Sequence, residues 1–222
     1  MVIATWNVEG LKHKNKLERM LQVIDNINAD ILVLTETDRR LRPNYHNVIE
    51  SKPLFGRMVS IYKATENMVS IYTDYPCIQV YPTYDDYSSV CAELLTEHGN
   101  LIVYGMVTGA FGNRGESFNS DLERQMEDIS NFSSLRDGIC VLGDFNCSFS
   151  DNYYFTKKGR EAFLRSFDQS DICLLTEGQP ECVDHIGVSK NYMLGACCQI
   201  DEWNHDKALS DHKGIRANII WK

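Results

Sequence analysis

The chain has 222 residues, 43% of them hydrophobic, and carries a formal net charge of −9 at neutral pH. That is enough apolar material for one core-bearing domain, and it excludes disordered and fibrous classes. No apolar run approaches the roughly 20 residues of a membrane span, and the acidic balance argues against a tight, non-specific duplex binder. A metal-assisted nuclease survives this exclusion, because a bound cation changes the local potential.

The first ten residues, MVIATWNVEG, lack the basic segment and long apolar core of a signal peptide and read as a first strand over 2–6. Leu17, Met20, Leu21, Ile24 and Ile27 recur at helical spacing, which predicts an amphipathic helix over 14–28. A buried strand over 31–34 follows, with Glu36 just beyond it, completing a β–α–β unit. Five short β-rich runs come next, at 58–63, 68–73, 77–81, 90–95 and 101–107, separated by turn residues such as Asp74-Tyr75-Pro76; they read as an antiparallel meander. A second helix places Leu122, Met126, Ile129, Phe132 and Leu135 on one face. Then come a strand over 139–142, a helix near 158–167, a strand over 171–175, strand-like runs at 184–188 and 192–200, and a closing strand over 215–221. No linker or low-complexity segment divides the chain, so residues 1–222 read as a single domain. The pattern predicts an α/β protein with two mixed sheets packed face to face and helices outside.

Eight cysteines occur, none in a C-x-x-C pair. Zinc and thioredoxin-type readings are weak, and reduced, mostly buried thiols of a cytoplasmic protein are expected.

Polar residues stand where the apolar strands stop. Asn7 and Glu9 follow the first strand and Glu36 the second. In VLGDFNCS, Asp144 and Asn146 end the strand over 139–142. Asp184 opens one late strand, and Asp211 and His212 precede the last. Each alone has an ordinary explanation as a turn or cap, since Asp and Asn side chains bond nearby backbone N–H groups. Together they can converge on one rim of a sandwich, where a rigid sheet holds functional loops. Acids and amides with few His or Cys favour a hard divalent cation, Mg²⁺ or Mn²⁺. A neighbouring carboxylate can activate water, and a His held by an acid can stabilise charge on phosphorus-bound oxygens. The sum is metal-assisted hydrolysis of a phosphoester.

The motifs ATWNVEG (4–10), ADILVLTET (29–37), VLGDFN (141–146), CVDHIGVS (182–189) and LSDH (209–212) resemble those of the endonuclease/exonuclease/phosphatase superfamily, whose members include deoxyribonuclease I-like and apurinic endonuclease-like enzymes. They occur in the family's order across nearly the whole chain. The resemblance implies a four-layer α/β sandwich with its site at the strand ends. It makes Glu36 and Asp211 metal-binding residues, with Glu9 beside them, and Asn7 a positioning amide. It gives Asp144 the activation of water, Asn146 the holding of phosphate, and Asp184 the support of His212 at the scissile phosphate. One departure stands out: where many members carry a catalytic His or Tyr, the segment LIVYGMVT (101–108) has no His, Tyr104 is out of register, and Thr108 is a smaller polar substitute.

Lys157, Lys158 and Arg160 follow the GDFN loop and are candidates for contact with substrate phosphates. Tyr153, Tyr154 and Phe155 alongside could stack on a base, although core packing suits at least one of them. Asn113-Arg114-Gly115 is a further candidate for a mobile loop near the site, although a plain surface loop suits it better. The leading expectation is a divalent-metal-dependent nuclease. A phosphatase acting on a small phosphorylated molecule and a catalytically silent binding module on the same fold remain the alternatives.

Overall fold

The computed structural model describes residues 1–12, 14–58, 61–112, 115–136 and 138–222; the Asn113-Arg114 loop lies outside them. Within these residues two mixed sheets of six strands each lie face to face. The first contains β1 (Val2–Asn7), β2 (Ile31–Asp38), β3 (Asn47–Glu50), β4 (Glu66–Thr73), β11 (Ala196–Trp203) and β12 (Gly214–Trp221), in the order β11-β12-β1-β2-β4-β3. The second contains β5 (Cys77–Tyr81), β6 (Ser89–Thr96), β7 (Gly99–Val107), β8 (Ile139–Asp144), β9 (Ile172–Leu174) and β10 (Asp184–Ser189), in the order β5-β6-β7-β8-β10-β9. Each sheet has one parallel pair, β1/β2 and β7/β8. Parallel neighbours need a long crossover, and these are supplied by α1 (Leu17–Ile27) and α2 (Glu116–Ser133). The third helix, α3 (Lys157–Gln169), follows β8.

Side-chain alternation sorts the layers. Ile3, Ile31, Val33, Val69 and Ile71 of the first sheet meet Val103, Cys140, Leu142, Ile186 and Val188 of the second in the central core. The even-numbered partners Ala4, Trp6, Leu32 and Leu34 face Met20 and Ile24 of α1. Ile139, Val141 and Phe145 face Phe118, Ile129 and Phe163 of α2 and α3. The result is the expected four layers, helix–sheet–sheet–helices.

Three element expectations differ from what is found. The described residues of the run 58–63 do not form a strand: Met58 N–H donates to Leu54 O, and Ile61 and Tyr62 N–H both return to Met58 O, so these groups are satisfied in turns (Val59 and Ser60 lie outside the described residues). β3 escaped notice because NVIE is a short, half-exposed edge strand whose only ladder is to β4. Leu135 lies past the end of α2 and is exposed. Among the described residues no helix is long and apolar enough to cross a membrane.

Candidate active site

The same alternation that builds the core delivers polar groups to one end of it. Asn7 shares the inward face with Ile3, Asp144 with Cys140 and Leu142, and Asp184 with Ile186 and Val188. β1 and β8 finish at this end, while antiparallel β10 starts there, paired Asp184 to Asp144. Three inward positions from three strands therefore meet at the mouth of the sandwich.

Asn7 is the hub. Its Nδ2 donates to Glu36 Oε1 and to Asp144 Oδ2, both at 3.1 Å, while its Oδ1 accepts Glu9 N–H at 2.9 Å. Glu36 reaches this hub against its register, since strict alternation would send it with Leu34 toward α1. Its φ of 47° lies in the left-handed region, uncommon for a residue with a side chain, and turns the carboxylate back to the mouth. On the other side Asp184 Oδ2 and His212 Nδ1 are 2.6 Å apart.

The loop bearing His212 is pinned from several directions. Trp6 Nε1 and Asn204 Nδ2 donate to His212 O at 3.1 and 2.7 Å. The buried Ser210 hydroxyl donates to Asn7 O at 2.7 Å and accepts His212 N–H at 3.2 Å. Sequence reasoning missed Ser210 and Trp6 as positioning groups, although both sit inside the motifs LSDH and ATWN.

Two buried carboxylates, Asp144 and Asp184, and the partly buried Glu36 surround one imidazole, and this shifts their protonation equilibria. Burial, with Asp184 adding to it and His212 opposing it, pushes Asp144 up to about 6. Burial likewise raises Glu36, against the Asn7 amide, and raises Asp184, against His212. For His212 burial works against the charged ring, but Asp184, Asp144 and Asp211 prevail and push it up to about 10, so it is an imidazolium at neutral pH. The cluster holds more acid than base and, with the His212 ring protonated, its metal-binding atoms are carboxylate oxygens, which is the chemistry of a hard-cation site. Among the described residues no three His, Cys, Asp or Glu side chains close a metal cage by themselves.

Several expected site residues do other things. Glu9 is engaged through both oxygens, with Lys12 Nζ at 2.7 Å and Asp211 N–H at 3.2 Å; it anchors the loop that carries Asp211. The Asp211 side chain itself is 63% exposed, with Oδ1 3.8 Å from His212 Nε2. Asn146 does not reach the site by simple alternation: its φ of 49° folds it back, and Nδ2 donates to Thr108 O at 2.9 Å and, at 3.4 Å, to Asp144 Oδ2. Phe145 is fully buried against Phe163, Phe167 and His185.

Thr108 is no stand-in for the family His. Its register puts the hydroxyl on the helix side, where it donates to Gln125 Oε1 of α2 at 2.6 Å; only its carbonyl serves the site. Arg160 is not free for phosphate, because its guanidinium donates to Ser148 O and Asp151 O and stacks over Phe155 at 3.7 Å. It clamps the loop after GDFN. Lys157 and Lys158 are exposed on the first turn of α3, and Lys157 lies 3.9 Å from Glu161. Of the aromatic trio, Phe155 packs on the core while the exposed Tyr153 accepts a hydrogen bond from Lys207 Nζ at 2.8 Å.

A four-layer sandwich with acids, an amide and an acid–imidazole pair at the strand ends defines a class of phosphoester hydrolase. Residues 4–212 match the endonuclease/exonuclease/phosphatase family; the chain belongs to it and is a phosphoester hydrolase. No curated protein sequence matches the chain. Among solved structures it is similar to a 3′ phosphatase, NExo, from Neisseria, bound to a product DNA hairpin, with a TM-score of 0.74, 19% identity and 100% of both chains covered. It is also similar to an AP endonuclease from Archaeoglobus fulgidus, with a TM-score of 0.73, 16% identity and 98% of both chains covered. A third similar structure is the endonuclease domain of the retrotransposon TRAS1, with a TM-score of 0.67, 15% identity, and 100% of this chain and 99% of that one covered.

Proposed function

We propose that the protein is a Mg²⁺- or Mn²⁺-dependent hydrolase of nucleic-acid phosphoesters, with residues 1–222 acting as one catalytic domain. The observation that carries this reading is the Asn7 amide joining Glu36 to Asp144 beside the Asp184–His212 pair. Glu36 would hold the cation with Asp211, and when bound the cation would supply Lewis-acid polarisation of a phosphoryl oxygen.

The chain's own groups account for the remaining chemistry. Asp144, held near neutrality, takes a proton from the attacking water. The Asn7 and Asn146 amides, whose N–H groups are spent on Glu36, Asp144 and the Thr108 carbonyl, orient that carboxylate. Asp184 fixes Nδ1 of His212, so that Nε2–H of the imidazolium points to the developing negative charge. With the Thr108 hydroxyl turned to Gln125, the acid that the described residues offer beside the leaving group is His212. The complete acid–amide–imidazolium set favours turnover over a silent binding role. Nucleic acid as substrate is supported by the DNA-bound 3′ phosphatase and the AP endonuclease among the similar structures. The 3′ phosphatase also supports activity on terminal phosphomonoesters. Eight free thiols suit the reducing cytoplasm as its setting.

The test is a metal-controlled substrate screen across single-stranded, duplex and abasic DNA, RNA and small phosphomonoesters. Hydrolysis is expected with Mg²⁺ or Mn²⁺ and is lost in EDTA. Glu36→Gln keeps the shape but weakens the ligand, and is expected to lose most activity with its melting curve unchanged. Full activity in EDTA rejects the reading.

A further inference from the structure

The two flanks of the site are unequal. Beside Asp184, Asp211 and His212 the space measures about 30 Å³, narrowed by Tyr153, Lys207 and Lys213. An enclosed cavity of that size takes a water and gives a base or sugar no pocket to enter. Beyond Glu36, on the opposite flank, lies a pocket of about 310 Å³, within the range of small-ligand sites.

This pocket has its own chemistry. Leu11, Leu54, Met68 and Ala110 form apolar walls, with Ile61 and Tyr62 on the loop before β4. Ile61 leaves 68% of its surface in water, a large apolar group placed beside a cluster of carboxylates. Tyr62 is half-buried and close enough to Glu36 and Glu66 that burial and these two acids raise its phenol. Two cations also line the pocket, Lys12 paired to Glu9 and Lys63 paired to Glu66. Because Glu36 belongs both to the phosphate site and to the pocket wall, a substituent of a phosphate bound there extends into the pocket. A bare sugar or hydroxylated chain would leave the apolar walls unmatched. A planar ring with apolar faces and a polar edge satisfies them, with Tyr62 offering a stacking surface.

We infer that the pocket between Leu11 and the Ile61-Tyr62 loop binds the nucleobase on one side of the scissile phosphate, so that the enzyme reads one flanking nucleoside and leaves the other unread. This rests on the reading of the site as a hydrolase of nucleic-acid phosphoesters and adds an asymmetry to it.

Two measurements on the full chain separate the claims. In the first, thymidylyl-thymidine is compared, with Mg²⁺, to its two analogues that each lack one base. Removing one base is expected to raise KM at least tenfold, and removing the other to change it less than twofold. In the second, calorimetry with Ca²⁺ in place of Mg²⁺ compares thymidine monophosphate with 2-deoxyribose 5-phosphate. The nucleotide is expected to bind at least tenfold tighter, and in Ile61→Asp or Ile61→Ser that ratio falls toward one. Turnover in which the two bases count equally, with no preference for nucleotide over sugar phosphate, overturns the pocket and leaves the hydrolase reading intact. Preferential nucleotide binding abolished by the Ile61 variants, without turnover of any nucleic-acid substrate in the metal-controlled screen, sustains the pocket and overturns the reading of nucleic-acid phosphoesters as the substrate.

Discussion

Asp144 and Phe145 are neighbours with opposite duties, and the pair shows how much one residue step means at a strand end. Asp144 faces the site and Phe145 the helices, because successive side chains point to opposite sides. Asp144→Asn keeps volume but removes charge and basicity; it is expected to melt like the parent while kcat falls about 10²–10⁴-fold, the usual span for a general base. Phe145→Ala empties a stack whose rings lie 5.1 Å from Phe163 and 5.5 Å from His185, and is expected to cost about 3–5 kcal/mol in urea unfolding. Parent-like hydrolysis by Asp144→Asn removes Asp144 from the mechanism. Asp184 and His212, 2.6 Å apart, act as one unit. Each alanine variant is expected to slow turnover, and the double variant to lose less than the product of the two; multiplicative losses in kcat argue that they work separately.

At the scale of elements, the parallel contact of β7 with β8 sets the site's floor. Gly143 stands opposite Met106 with φ of 133°, a conformation that side-chain residues rarely adopt. A Cβ there would collide with the Met106 backbone carbonyl, and backbone cannot rotate away as a side-chain tip can. Gly143→Ala is therefore expected to destabilise by at least about 1–3 kcal/mol and to lower kcat by shifting Asp144 next door. A variant with parent stability and rate shows that the two strands can part without cost. Apart from β3, the helix–strand order of the chain was legible from periodicity and turn residues, as in α1 and β5. The run 58–63 was not, because β-prone composition does not say whether a partner strand exists. Thr108 failed for a related reason: its residue type suited the site, but its register turned the hydroxyl to Gln125.

For the molecule as a whole, one buried ring makes a distinct contribution to the loss of stability in acid. His185 lies between α3 and the second sheet, its Nε2–H donating to Cys147 O at 3.0 Å and its Nδ1 accepting from the Thr176 hydroxyl at 2.9 Å. Burial pushes it down to about 4, against the carbonyls that favour the charged form. The unfolded chain, with an ordinary His near 6.5, binds this proton first. The stabilisation is complete above about pH 6.5 and declines as the pH falls through 4, by about 3 kcal/mol in all. Urea midpoints at pH 7 and pH 4.5 should drop further in the parent than in His185→Gln; equal drops place the acid sensitivity elsewhere.

The sequence by itself determined the strands and helices that carry the site and the residue types found there, because periodicity and turn chemistry are local and the motifs kept the family's order. It named Asn7, Glu36, Asp144, Asp184 and His212, which the fold brings within hydrogen-bonding range of one another or of a shared neighbour. Only the tertiary structure decided what their neighbours do. Glu9 accepts the N–H of Asp211, Arg160 ties down a loop, and Ser210 joins two segments some 200 positions apart. Those outcomes depend on which face a side chain takes and which distant donor or acceptor waits there. A left-handed turn at Glu36 or Asn146 changes that face without leaving a mark in the alternation of the letters.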